Sequence, residues 1–448
     1  MQSVAPKYDV IVIGAGSAGL FAAAELAGHD LKMLVVDRGE EPSKRTEMNF
    51  GIGGAGTFSD GKLNLTARIG GDPSSFGRSA AEVEQVIERV DQLFTRIGVE
   101  GGYSGRNGEA LTRIMKSACA VGVEFIFARQ RHIGTDRLKQ VTEHFYQYLC
   151  QSGVTFRKNT RIQTIHAADR GYLLSTGQEH FWAKAVIACP GRAGAYWLRE
   201  QARGLAIKLA YGPIDVGVRV EFPAVIYDDI AQVMYDAKFR LYSKVYDDLV
   251  RTFCTNPNGY IVREQYDEFV LVNGHAHRDS KTANTNFALL SRVRLTDPVE
   301  DSTKYGRDIA RLATTIGGGK PLIQRLSDFI SGRRSTWDRL ARSSITPTLS
   351  DVTPGDIAMA FPQRIVANLM DGLNVLNQII VGLVSNNTLI YAPEIKFYDT
   401  TYHVTSFMET TAPDFFVAGD ASGHSRGIIY SAVTGIFAAQ GVLTNLAR

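Results

Sequence analysis

Cysteine is scarce in this chain: Cys119, Cys150, Cys189 and Cys254 are its four, and no two stand as C-x-x-C. That spacing suggests neither a disulfide framework nor a zinc site, so no metal is expected. Small buried apolar roles or incidental thiols account for all four. Long apolar runs are missing too. The run at 10–13 is far shorter than a signal-sequence core or a membrane span, and the expectation is a soluble, cytoplasmic protein without a membrane span. Charge of one sign is missing as well. Forty-nine basic and 46 acidic residues leave a net +3, which implies no pull on nucleic acid. No repeat, low-complexity tract or proline-rich linker divides the chain.

What is present is length and glycine. At 448 residues, two domains are expected. The opening reads as a buried strand (10–13), a glycine turn, a helix (17–26) and a second strand (31–36) ending at Asp37. Gly14, Gly16 and Gly19 keep the G-x-G-x-x-G spacing. The first glycine permits the tight turn, the second a close approach of backbone to a pyrophosphate, and the third close contact between helix and strand. Phosphates then rest on free N–H groups at the helix start, with Ser17 and Ala18 among them. Asp37 stands eighteen residues beyond Gly19, near the offset of an acid that binds a ribose, and Arg38 follows it. A second literal match at 51–56 has no buried strand before it, so it is a loop and not a second nucleotide fold. Its backbone, with Gly54, Gly56 and Thr57, is expected against the cofactor. A dedicated NAD(P) domain is absent from this reading.

The far end carries a matching half. Phe415, Phe416 and Val417 form a short buried strand leading to Gly419 and Asp420, and Gly427 and Ile428 open an apolar helix reaching about Leu443. Asp420 would accept from ribitol hydroxyls, and the helix start would favour an anionic flavin. Together the two ends indicate FAD. Gly191, in a loop after the strand at 185–188, joins the candidate cofactor ligands. Between the ends, helices are expected at 78–99, from Thr135 to about 149, near 304–330 and at 363–383, with strands at 216–222 and 269–272. The fold is read as α/β: a discontinuous Rossmann-type FAD domain (1–210 plus 386–448) with an inserted α+β substrate domain (211–385).

These segments resemble a family. GGAGTFSDGKL (53–63), RHIGTDRL (131–138), CPGRAG (189–194), VNGHA (272–276), ANTNFALL (283–290), GRRST (332–336), PEIKFYD (393–399) and GDASGHSRGI (419–428) are similar to bacterial and archaeal FAD-dependent dehydrogenases of largely unassigned substrate, distant relatives of glutathione-reductase-type flavoproteins. The resemblance spans nearly the whole chain and implies the FAD fold. Relatives read G-D-G-A-G where this chain has Gly419, Asp420, Ala421, Ser422 and Gly423. Disulfide-reducing relatives use a cysteine pair facing the flavin, and 51–63 contains no cysteine.

With flavin supplying the difficult step, the protein must position a substrate and manage protons. His275, whose unperturbed pKa lies near neutrality, is the first choice for general base; Asn273 and His277 stand beside it after an apolar strand, where side chains could meet the flavin face. Lys62 could bind an acidic substrate. Arg333, Arg334, Arg339 and Arg342 form the densest basic cluster, read as ordinary salt bridges in preference to an anion site. His424 could tether a flavin covalently, with proximity alone in favour. The expected function is hydride transfer between a small metabolite, carboxylated ones included, and flavin N5, with electron donor or acceptor undetermined. A flavin monooxygenase and a non-redox FAD-binding protein are the alternatives.

Overall fold

The computed structural model describes residues 5–47, 50–59, 61–105, 108–276, 280–295, 301–397 and 400–447. The chain divides into two compact units: 1–102 with 131–210 and 399–448, and 103–130 with 211–398.

The first unit is built on a sheet ordered Thr155–Arg157, Met33–Val36, Lys7–Ile13, His180–Ala188, Gly171–Ser175, Thr164–Ala168, with Phe415–Val417 also on His180–Ala188. The strands around Lys7–Ile13 are parallel, and Thr164–Ala168, Gly171–Ser175 and His180–Ala188 form an antiparallel meander. Alternate residues of a strand face opposite ways. Val10 and Val12 accordingly join the core on one face, and Ile11 and Ile13 the core on the other. This explains an unbroken apolar run: both faces are covered. Each of these side chains gains about 1.5–3 kcal/mol by leaving water.

Helices Ser17–Leu26 and Gly427–Leu446 lie against each other on one face of this sheet. Gly435 permits the contact, because a Cβ there would fall 2.1 Å from the Ala18 carbonyl oxygen. Gly427–Leu446 is long and apolar enough to cross a membrane, yet 72% of its apolar window is buried inside the protein. It is a core helix.

The second unit carries an eight-stranded sheet ordered Thr353–Pro354, Leu322–Arg325, Leu389–Lys396, Ile214–Pro223, Asn284–Val293, Leu249–Asn256, Lys238–Tyr242, Glu124–Ile126. A hairpin, Tyr260–Gln265 with Val270–His275, packs on it. Three expectations change here. Leu389–Lys396, expected in the first domain, pairs with Ile214–Pro223 and Leu322–Arg325 of this sheet. Residues 103–130 also belong here, through the pairing of Glu124–Ile126 with Lys238–Tyr242. The helix expected over 304–330 ends at Ile316, because three glycines follow and Gly318 and Gly319 take positive φ (60° and 87°). Leu322–Arg325 is then a strand, and Leu326–Ile330 a short helix.

Candidate cofactor site

Ile13, Ala188 and Val417 end three neighbouring parallel strands at one level, since Ile13 pairs with Ala188 and Ala188 with Val417. The three loops leaving those ends are the glycine turn, the Cys189-Pro190-Gly191 loop and the Gly419-Asp420 turn. Ligands of open parallel sheets bind outside such carboxyl ends. Gly14 takes φ 99°, and a Cβ on it would lie 2.4 Å from the Cys189 carbonyl oxygen; one on Gly19 would lie 1.9 Å from the Gly14 carbonyl. Turn, helix and neighbouring loop meet only because these side chains are missing. The Cys189 thiol fills the space below and donates to the Gly14 carbonyl oxygen at 3.2 Å. Burial, with the Asp37 charge nearby, pushes that thiol up, which makes it a neutral packing group.

The other expected segments close on the same place. A Cβ on Gly54 would come 2.9 Å from Gly16 Cα, and one on Gly56 3.3 Å from Ile428. Ser17 Oγ donates to the Ile428 carbonyl oxygen at 2.7 Å, linking the start of the first helix to that of the last. Gly419 N donates to Thr434 Oγ1 at 2.9 Å, and Ser431 Oγ to Asp420 Oδ1 at 2.9 Å. Helices Ser17–Leu26 and Gly427–Leu446 both start without a side-chain cap. Their first N–H groups are the kind an anion satisfies.

Asp37 does more than its spacing suggested. Its carboxylate is buried and accepts from Ala15 N (2.8 Å), Gly39 N (2.9 Å) and Gly51 N (2.9 Å). It clasps the glycine turn to the second loop, and three of roughly four acceptor positions are thereby taken. Arg38 is largely exposed, with its guanidinium 3.6 Å from the Phe50 ring centre; partial desolvation and the like charge of Arg161 lower its pKa against the pull of Asp37. Thr57 is turned away: its hydroxyl meets Arg45 and Thr142, so this loop offers backbone and not that side chain. Gly191 takes φ 66° in open space.

Sequence reasoning passed over four residues here. Arg45 lies buried under the second glycine loop, in a polar stretch with no periodic signal. Arg192 approaches Asp420 Oδ2 at 3.5 Å, and Arg426 donates to the Asp420 carbonyl oxygen at 2.8 Å. Ser431 is one helical turn into an apolar helix, where a serine is the only hint.

The residues considered for chemistry stand on other elements of the chain. Lys62 opens the strand Lys62–Leu65, half-buried. Asn273 and His275 belong to the hairpin of the second unit, His275 opposite Tyr260. The Asn273 amide donates to Glu264 Oε1 at 2.6 Å and accepts from Gly274 N at 2.9 Å, so both of its ends are engaged within the hairpin. His424 is buried, with Nδ1 2.9 Å from Ser75 Oγ and Nε2 2.8 Å from the Tyr402 carbonyl oxygen, which leaves no nitrogen for a flavin bond. Asp328 balances Arg333 (2.7 Å) and Arg339 (3.8 Å). Asp60, His277 and the side chains of Thr135 and Asp136 lie outside the described residues. Among the described residues no group of His, Cys, Asp or Glu could hold a metal ion.

The chain is similar to known proteins in both units. Residues 9–108 match the family described as FAD dependent oxidoreductase, and residues 213–396 match FAD-dependent protein, C-terminal domain-like. An uncharacterized protein of Clostridium beijerinckii is 25% identical over 98% of this chain and 81% of its own length. Glycine oxidase from Geobacillus kaustophilus aligns over 98% of this chain and 95% of its own at 14% identity and a TM-score of 0.41. A 3-ketosteroid-Δ4-(5α)-dehydrogenase from Rhodococcus jostii aligns over 99% and 98% at 14% and 0.46. Both family descriptions name FAD.

Proposed function

We propose that this chain, of Rossmann-type α/β build, is an FAD-dependent oxidoreductase that dehydrogenates or reduces a small metabolite. The carrying observation is that the glycine turn, the loop at 51–57 and the segment at 419–428 meet at the ends of three adjacent strands. FAD, when bound, supplies hydride exchange at N5 of its ring.

The residues divide the work as follows. N–H groups at Gly16, Ser17, Ala18 and Gly19, with Gly56 alongside, receive the phosphates, while Gly54 packs its backbone against Gly16 and gives its own N–H to the Gly51 carbonyl oxygen. Asp37 uses its remaining acceptor position for a ribose hydroxyl, and Arg38 covers that end. Asp420, held by Ser431, orients ribitol, while Gly191 and Gly419 leave room for it. Gly427 and Ile428 direct a helix start toward the ring, where negative charge grows on reduction. His275 takes or returns the substrate proton, and Lys62 steadies an anionic substrate, a carboxylated metabolite being the class it suits. The hairpin bonds of Asn273 keep the strand end at His275 in place. A distant kinship with glutathione-reductase-type flavoproteins rests on the sequence motifs. Cytoplasmic residence fits this metabolic role.

Anaerobic mixing of the yellow protein with NADH, NADPH and a panel of small carboxylic and amino acids tests the reading. Bleaching near 450 nm by at least one donor is expected, slowed in H275Q with flavin content unchanged. A flavin that no donor reduces would count against an oxidoreductase acting on small metabolites.

A further inference from the structure

Arg45 is 3% exposed and reaches under the loop at 51–58. Its Nη1 donates to the carbonyl oxygens of Gly54 (2.8 Å) and Ile52 (3.1 Å) and to Thr57 Oγ1 (3.3 Å), and its Nε to the Glu47 carbonyl oxygen (2.9 Å). Its stem packs where Gly51 has no side chain, since a Cβ there would fall 2.7 Å from Arg45 Cδ. Its guanidinium lies 4.9 Å from the Phe58 ring centre. The N–H groups at the start of the loop are already taken: Gly51 N by Asp37, Ile52 N by the Glu40 carbonyl oxygen (3.0 Å), Gly53 N by the Ala15 carbonyl oxygen (2.7 Å) and Gly54 N by the Gly51 carbonyl oxygen (2.9 Å). In a trans peptide C=O and N–H point opposite ways, so Arg45 on the Ile52 carbonyl sends Gly53 N–H to Ala15 of the glycine turn, and Arg45 on the Gly54 carbonyl turns the Ala55 N–H to the side away from the guanidinium.

A glycine-rich segment has little preference of its own for either peptide orientation, because no Cβ penalises the flipped form. Something outside the loop must choose. Asp37 and Arg45 choose together, one taking N–H and the other C=O, and a buried carbonyl left without its donor is costly. We propose that Arg45 is a positioning residue for the cofactor: by fixing the carbonyls of Ile52 and Gly54 it locks the loop onto the glycine turn and aims the Ala55 N–H at the phosphates of FAD. The inference rests on the FAD reading above. Burial lowers the Arg45 pKa to about 10, against the pull of Asp37, so the guanidinium stays charged at neutral pH and can also offset phosphate charge.

The test compares apoprotein of the wild type, R45Q and R45K for binding of FAD, ADP and adenosine by titration calorimetry, with circular dichroism to confirm folding. R45Q is expected to bind FAD and ADP about 10- to 100-fold more weakly while adenosine, which lacks phosphates, changes little. A lysine keeps the charge but not the fork, so R45K should fold and recover part of the FAD affinity. Equal FAD affinity in wild type and both variants would overturn the positioning role, as would a loss that strikes adenosine as hard as ADP. If R45Q does not fold, R45K decides: wild-type FAD affinity in it overturns the role of the fork. A wild-type apoprotein that takes up no FAD would overturn the FAD reading itself, and this inference with it.

Discussion

The strand ends of the first unit and the polar sheet face of the second solve opposite problems. Around the glycine turn, side chains are removed so that backbone can approach backbone, and one carboxylate, Asp37, is given to three amides. On Ile214–Pro223 the chain does the reverse. Asp215, Arg219 and Glu221 alternate with apolar residues, as they would on a strand with one wet face, yet all three are 0% exposed. Arg219 meets both oxygens of Glu394 (3.1 and 3.2 Å), Asn286 and the Cys254 carbonyl oxygen. Asp215 takes Arg251 (2.7 Å) and Arg292 (3.0 Å). Glu221 accepts from Tyr391, Thr348 and Asn284, with burial raising its pKa against those bonds. Three of the segments that marked the resemblance, at 272–276, 283–290 and 393–399, supply Gly274, Asn284, Asn286 and Glu394 to this network. A Cβ on Gly274 would fall 1.7 Å from Arg219 Nη2. Backbone freedom serves a ligand in the first unit; in the second, buried charge serves the shape of the unit.

The contrast breaks most sharply at Arg219. R219M leaves the Glu394 charge to Lys396 alone (2.9 Å) and takes the donor from Asn286 and the Cys254 carbonyl, and a loss of about 3–5 kcal/mol is expected in urea unfolding, with part of it recovered in R219M/E394M. A single variant as stable as the wild type would mean the pair is dispensable. In the first unit the corresponding change is G14A, where a side chain must adopt φ 99° against the Cys189 carbonyl. Strain of about 1–3 kcal/mol is expected, seen as lost FAD affinity before lost fold. Unaltered FAD binding in G14A would contradict the close packing of the turn.

Acid sharpens the comparison further. Burial alone would raise the Asp215 pKa, but Arg251 and Arg292 outweigh it and hold it at about 2, below the ordinary 3.8. Its stabilisation is thus present above pH 4 and disappears as pH falls toward 2, by about 2 kcal/mol. Stability measured from pH 5 to 2 should fall in the wild type and lack that component in D215N. Parallel curves would show that Asp215 is not the group titrating.

Much of the first unit was legible because its signals are local. A run such as 10–13 has one explanation when no residue in it is polar, and the glycine spacing carries its geometry within six residues. The site's partnerships were less legible. Asp37 and Gly51 are joined by a hydrogen bond that no spacing announces, and Arg45 sits in a stretch without periodicity. In the second unit, the alternation along Ile214–Pro223 marks a strand but does not reveal what covers its polar face. Residues 103–130 join that unit through a strand pairing more than a hundred positions away. The break after Ile316 was readable in the three glycines that follow, but the apolar residues beyond them extended the helical pattern.

Flavin content is the most direct measure of the central claim. Protein purified without added cofactor, or reconstituted with FAD and freed of excess by gel filtration, should carry one FAD per chain by absorbance and by mass spectrometry of the released nucleotide. A folded, colourless preparation that takes up no FAD would contradict it.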